Sequence, residues 1–283
     1  MVTQTGPVTF DVYVAPSLRT ASDDPPPGAT QRWWSPISAT LIAGEHDAVL
    51  VDALLTAGQA RDLADWVAAR GKHLTAVYIT HGHGDHWFGL GTILKRFPDA
   101  RGFALPAVIE QMRPALTPEF LAVWKSRFPE QIPDDLVLAD PLPSGTFELE
   151  GQELVAVELG HTDTDQTTCL HVPAIGLVVA GDAAYNDVHL YLAESSPQGR
   201  RDWLSALDTI EALRPRAVIA GHKRADRTDD PRIIDETRAY IHDFDRIAEG
   251  ATTARELYDE MLAIHPCRVN PGALWGAARA WKR

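Results

Sequence analysis

Val8, Phe10, Val12 and Val14 are separated by single residues, the period of a strand with one buried face. Two continuous apolar runs follow, residues 39–42 and 48–51, with Gly44-Glu45-His46-Asp47 between them. Short apolar runs joined by such a turn predict a hairpin. The period then changes. Leu63, Trp66 and Val67 share one face of a helix over residues 58–70, which Gly71 ends. Residues 74–80 are apolar again and close on a dense polar cluster, His81 to His86. A helix over about residues 88–97 ends at Pro98. Residues 110–127 read as a helical stretch interrupted by prolines. Residues 154–159, 168–172 and 177–180 are predicted strands, 199–213 a helix and 217–220 a strand. From Ile233 onward the pattern is helical. Residues 21–31, with Pro25-Pro26-Pro27-Gly28 at their centre, are a loop.

Mixed strands and helices in two successive halves predict an α/β protein, two sheets with helices outside. Continuous apolar runs fit strands buried on both faces. The 283 residues allow one large domain or two small ones and bury a core without disulfides. Lys and Arg number 26 against 39 Asp and Glu, a net charge of −13, which speaks against a nucleic-acid partner. Every apolar run is far shorter than the ~20 residues of a membrane helix. Residues 1–7 have neither the basic start nor the apolar segment of a secretory signal. Two cysteines, Cys169 and Cys267, make no disulfide framework and read as buried thiols. Together these features predict a cytoplasmic protein with no membrane partner.

The segment Thr80-His81-Gly82-His83-Gly84-Asp85-His86 sets three imidazoles and a carboxylate on a turn between an apolar strand and a helix. Its glycines let the backbone turn so that His81 and His83 face one point, and Asp85 and His86 a second. Nitrogen and oxygen ligands in this mixture suit zinc, and iron or manganese less specifically. Three later features repeat one pattern, an apolar run, a glycine, then a ligand type: Gly160-His161, Gly181-Asp182 and Gly221-His222. They would supply a third ligand for each of two metals and a carboxylate between them.

In order and context these residues resemble the metallo-β-lactamase-fold superfamily of hydrolases, over residues from about 8 to 222. The resemblance implies an αβ/βα four-layer sandwich with C-terminal helices. It implies a single domain over residues 1–283, with its core at about 8–222 and a helical tail at about 231–283. By the same resemblance His81, His83 and His161 hold the first metal, Asp85, His86 and His222 the second, and Asp182 bridges two Zn²⁺ ions. Iron and manganese are the alternatives. Two such ions share a water and lower its pKa toward neutrality, so that it attacks a carbonyl without a side-chain nucleophile. Asp85 is then placed to shuttle a proton. Aspartate at position 182 speaks against the β-lactamase subgroup that uses a thiolate there. Histidine at position 83 speaks against the oxygen-reducing di-iron branch.

The bond cleaved is less legible. Tyr185, three residues after Asp182, resembles the tyrosine that donates to the substrate carbonyl in acyl-homoserine-lactone lactonases; the other reading is a core aromatic. Gly160-His161-Thr162 resembles the glyoxalase II thioesterases, which carry a further histidine where this chain has Asp165. His86-Trp87-Phe88-Gly89-Leu90 resembles tRNA 3′-processing endonucleases, a reading the acidic balance opposes. Trp33, Trp34, Trp87, Phe88, Phe120, Trp124, Phe128 and Tyr185 are candidates to line an apolar substrate pocket, Trp87, Phe88 and Tyr185 foremost. Residues 110–135 and the helices after Asp230 are candidate lids, and Lys223 and Arg224 candidate contacts for an anionic substrate group. His46, His73, His171, His189, His242 and His265 receive no role. The reading is a di-zinc hydrolase of a small-molecule lactone or ester. A thioesterase, a β-lactamase and a mononuclear iron sulfur dioxygenase are the alternatives.

Overall fold

The structure, a computed structural model, describes residues 8–281; the secretory-signal reading lies outside them. Its first half contains β1 (Thr9–Ala15), β2 (Leu18–Arg19), β3 (Trp33–Trp34), β4 (Ile37–Ala43), β5 (Asp47–Val51), α1 (Ala57–Ala68), β6 (His73–Tyr78), α2 (Gly84–Trp87), α3 (Leu90–Arg96) and β7 (Arg101–Ala104). Helices α4 (Pro106–Met112) and α5 (Pro118–Arg127) follow, then β8 (Asp140–Pro141). The second half contains β9 (Thr146–Leu149), β10 (Gln152–Gly160), β11 (Thr167–Val172), β12 (Leu177–Asn186), α6 (Pro197–Ala212), β13 (Ala217–Lys223), α7 (Ile233–Gly250), α8 (Ala254–Ile264) and α9 (Pro271–Ala280).

One sheet runs β1-β4-β5-β6-β7-β8 and a second β13-β12-β11-β10-β9. The predicted hairpin is β4 and β5, antiparallel with Ile42 opposite Val49. Its turn is held from outside, because the Glu150 carboxylate accepts the backbone N–H groups of Glu45, His46 and Asp47. Strands β4 and β12 are buried along their whole length, as continuous apolar runs require. Helices α1 and α3 cover the first sheet, and α6 and α7 the second. The result is the expected four-layer arrangement with C-terminal helices. Helix α1 starts where it does because Thr56 and Gln59 form a reciprocal cap, and α8 starts likewise at Thr253 and Glu256.

The two sheets are tied where the site forms. The Ser38 hydroxyl donates to Ala220 O at 2.6 Å, and the Thr168 hydroxyl donates to Thr80 O at 2.6 Å. The helix expected at about residues 88–97 is α3, and the short α2 precedes it within the polar cluster. Gly89 lies between them against the backbone of Ala53, so close that a Cβ would stand 2.0 Å from its carbonyl oxygen. Asp182 and His222 lie inside strands rather than beyond them. Strand β12 continues past Ala180 because Gly181, at φ +54°, and shifts of register against β13 let it bend without ending. Cys169 is buried, but Cys267 is exposed, against expectation, in the stretch after α8.

Candidate metal centre

The strand ends meet at one edge of the sandwich. The turn after β6 brings His81 and His83 and leads into α2 with Asp85 and His86; β12 brings Asp182 and Tyr185, and β13 His222. Ligand atoms gather in two groups, each within 4.8 Å: His81, His83, Asp163 and Asp182, and Asp85, His86 and His222. Asp182 also reaches the second group. Its Oδ1 lies 3.2 Å from His86 Nε2, and its Oδ2 lies 3.1 Å from His222 Nε2. In the first group Asp163 Oδ2 lies 2.8 Å from His83 Nδ1 and 3.8 Å from His81 Nε2.

Each imidazole is held by its other nitrogen. His86 Nδ1 meets Asp52 Oδ2 at 2.9 Å, and His222 Nδ1 meets Pro36 O at 2.9 Å. His83 Nε2 meets Glu194 Oε2 at 3.4 Å. The Thr80 hydroxyl donates to Asp52, so its oxygen accepts from His81 Nδ1 at 3.0 Å. Four ring nitrogens are thereby engaged by outer partners, and the other nitrogen of each ring faces inward. This is how proteins orient metal-ligating histidines. Asp52 was not singled out in the sequence, although it ends the apolar run of β5 as Asp182 interrupts that of β12.

Four buried atoms here make no well-directed hydrogen bond among the described residues: His81 Nε2, His86 Nε2, Asp163 Oδ2 and Asp182 Oδ1, the last three facing one another's or His83's ring nitrogens and carboxylate oxygens across the cluster. Buried polar atoms are seldom left so, and four together fit a site built for cations. The charges agree. Burial pushes the imidazoles toward the neutral form, and the His81 pKa is lowered. At His83 and His86 the neighbouring carboxylates overcome burial and raise the pKa well above its ordinary value, and His222 is raised to about 10. Asp85, Asp163 and Asp182 are held below the usual carboxylate range despite burial.

Above the groups lies a cavity of about 270 Å³, mostly apolar in lining. Trp34 and Trp124 form part of its wall, and Asp85, Asp182, Tyr185 and His222 its floor. The Trp34 indole N–H donates to Asp85 Oδ2 at 2.8 Å. The Tyr185 hydroxyl donates to Asp182 Oδ2 at 2.9 Å. Burial foremost, then the Asp182 charge, raises the phenol pKa well above its ordinary value. Helix α5 lines one side with Phe120 and Val123, and Asn270 and Gly272 line another, so both candidate lid segments border the cavity.

A profile of the metallo-beta-lactamase superfamily matches residues 32–222, about two-thirds of the chain. The chain belongs to the metallo-beta-lactamase superfamily. Membership supports a metal-dependent hydrolase in general, and with the two clusters it suggests a dinuclear metal site. A metallo-beta-lactamase family protein of Thermus thermophilus is similar in structure, with a TM-score of 0.61 and 22% identity, covering 95% of this chain and 91% of that one. A metallo-beta-lactamase from Pontibacter korlensis has a TM-score of 0.54 and 16% identity, over 82% of this chain and 99% of its own. Over 66 residues, 23% of the chain, the sequence is 35% identical to the uncharacterized protein YobT of Bacillus subtilis (strain 168), a stretch that spans 28% of that relative. Among the described residues no helix is long and apolar enough to cross a membrane.

Set against the superfamily pattern, one expected ligand is displaced. His161 belongs to neither group. Its Nδ1 lies 2.6 Å from Asp165 Oδ1 and its Nε2 2.9 Å from Ser195 Oγ, so neither ring nitrogen is available to the cluster. Asp163, two residues on and fully buried, stands in the first group instead. Gly160, at φ +75°, and a bulge before it swing the chain so that Asp163 turns inward. The expectation for Trp87 and Phe88 is also corrected. Both are fully buried beneath the turn and absent from the cavity wall. The Trp87 indole donates to Gly82 O at 3.0 Å, and Phe88 packs on Trp124. Phe128 is buried too, behind Trp34. Lys223 pairs with Asp229, and Arg224 with Asp187 and Asp226, so neither is offered to a substrate. His189, given no role, is buried at the cavity with its Nδ1 3.0 Å from the Tyr240 hydroxyl.

Proposed function

We propose that the chain is a di-zinc hydrolase that opens a small carbonyl substrate, a lactone or ester. The observation that carries this is the convergence of buried ligand atoms beneath a mostly apolar cavity. His81, His83 and Asp163 would hold one ion, Asp85, His86 and His222 the other, and Asp182 would reach both. When bound, a pair of divalent cations lowers the pKa of water and polarises a carbonyl oxygen. The chain's own groups do the rest. Trp34 and Trp124 exclude bulk water and receive the apolar part of the substrate. Asp85, held by the Trp34 N–H, accepts a proton at Oδ1 or Oδ2 and passes it to the leaving oxygen. The Tyr185 hydroxyl, which rests on Asp182 Oδ2, turns to donate to the substrate carbonyl oxygen. We read the chain as one domain, its core at about residues 8–222, with a C-terminal tail from about residue 231 that is helical in the described residues. Two free cysteines fit a reducing compartment, the cytoplasm.

A second reading has a specific observation behind it. His81, His83 and Asp163 are two imidazoles and a carboxylate, a donor set that suits non-haem Fe(II). This favours a mononuclear iron enzyme such as a sulfur dioxygenase. Metal quantification alongside a panel of lactone, ester, thioester, β-lactam and phosphodiester substrates separates the readings. Two zinc ions per chain with lactone or ester turnover, both lost in Asp182→Ala, are expected. One iron and no hydrolysis would establish the second reading, and phosphodiester turnover would replace both with a nuclease.

A further inference from the structure

A second cavity, of about 390 Å³, adjoins the first. The two share Arg32, Trp34, Arg127 and Tyr191 as a common wall. Their characters differ: the first is mostly apolar, the second mostly polar. The polar one gathers three guanidiniums, Arg32, Arg127 and Arg279, around a single carboxylate, Asp24. In a chain of net charge −13 this is a local reversal of sign.

The three guanidiniums are not equivalent. Arg32 and Arg279 both pair with Asp24, and Arg32 also donates to Gly272 O at 2.9 Å. Arg127, an exposed residue, has no carboxylate partner among the described residues; the Trp124 ring lies 5.7 Å away, and Arg32 and Tyr191 share the wall with it. It sits in the last turn of α5, one turn beyond the Trp124 that walls the apolar cavity. An unpaired guanidinium at the junction of an apolar and a polar cavity matches a ligand with an apolar body and an oxyanion at its far end.

We propose that the substrate is an amphipathic organic anion: its apolar body lies between Trp34 and Trp124, and its carboxylate or other oxyanion pairs with Arg127. The inference rests on the cavity above the metal centre being the substrate site, and it makes Arg127 a specificity-determining residue. It requires no covalent step.

Dye binding to the metal-loaded protein tests it without a cleavable bond, so its failure is distinct from a failure of the hydrolase reading. The probes are 1-anilinonaphthalene-8-sulfonate and its uncharged relative N-phenyl-1-naphthylamine, followed by fluorescence at low salt. The native protein is expected to bind the sulfonate about ten-fold more tightly than the neutral dye. Arg127→Gln should abolish that preference and leave neutral-dye binding unchanged. Trp124→Ala should weaken both dyes alike. Arg96→Gln, at an exposed arginine on α3 away from both cavities, should change neither. Equal binding of the two dyes by the native protein, or an undiminished preference in Arg127→Gln, would overturn the proposal. So would an Arg96→Gln effect as large as that of Arg127→Gln.

Discussion

Asp163 Oδ2 lies 2.8 Å from His83 Nδ1, in the place where the superfamily pattern calls for His161. The Thr162 hydroxyl donates to the other carboxylate oxygen of Asp163 at 2.9 Å, which leaves Oδ2 facing the imidazoles. His161 meanwhile braces the outside of the same bend through Asp165 and Ser195. Removing each residue should therefore do different things. Asp163→Ala should lose about one of two metal equivalents, whereas His161→Gln should keep both. Metal per chain, measured by plasma mass spectrometry after dialysis, decides. Loss in His161→Gln with retention in Asp163→Ala would restore the superfamily pattern.

Asp52 touches no substrate, yet it holds His86 directly and His81 through Thr80. Partners of this kind tune affinity by orienting the ring and fixing its tautomer. Asp52→Asn should weaken metal binding about 10- to 100-fold. Competition against a chromophoric chelator measures it, and unchanged affinity would make Asp52 a purely structural residue.

Trp34→Phe removes the N–H that Asp85 accepts while retaining an aromatic ring beside Trp124 and Phe128. A hydrogen bond to a charged group is worth about 1.5–3 kcal/mol. Turnover should fall about ten-fold or more with metal content intact. If turnover and metal content both stay at the native level, the indole contributes packing alone.

Tyr185→Phe deletes the donor to Asp182 Oδ2 inside a buried site. Lactone turnover should drop while two metal equivalents remain. Kinetics on one lactone, paired with metal analysis of the same sample, reads both. Native turnover would leave Tyr185 as a core aromatic.

Glu150 offers a pH signature remote from the metal centre. The backbone N–H groups of Asp47, His46 and Glu45, in that order, hold its pKa down to about 2 from an ordinary 4.5. A carboxylate depressed in the folded state stabilises it above the unfolded pKa, and loses that effect as pH falls toward the folded value. The melting temperature of the native protein should exceed that of Glu150→Gln at pH 7, and the gap should narrow between about pH 4.5 and pH 2. A gap independent of pH would show that charge at Glu150 is irrelevant to the hairpin.

Much of this was legible in the chain itself. The change of period between strand and helix depends only on which neighbours share a face, so the β4–β5 hairpin, α1 and the interrupted α4–α5 segment could be read locally. The dense cluster from His81 to His86 was legible for the same reason, since its members lie within one turn of backbone. Three things needed the tertiary structure. Within His161-Thr162-Asp163-Thr164-Asp165, spacing cannot say which side chain turns inward; Gly160, Ser195 and Thr162 decide that through contacts distant in sequence or specific to the bend. Trp87 and Phe88 looked like pocket residues because they follow the ligands, but α2 rotates them into the core. Asp52 and Arg127 reach the site or its cavity from separate elements, and the Trp34 N–H finds Asp85, only when the sheets close on each other and α5 packs beside them. Sequence order records residue types and local periods; the direction of a side chain is set by packing across the whole fold.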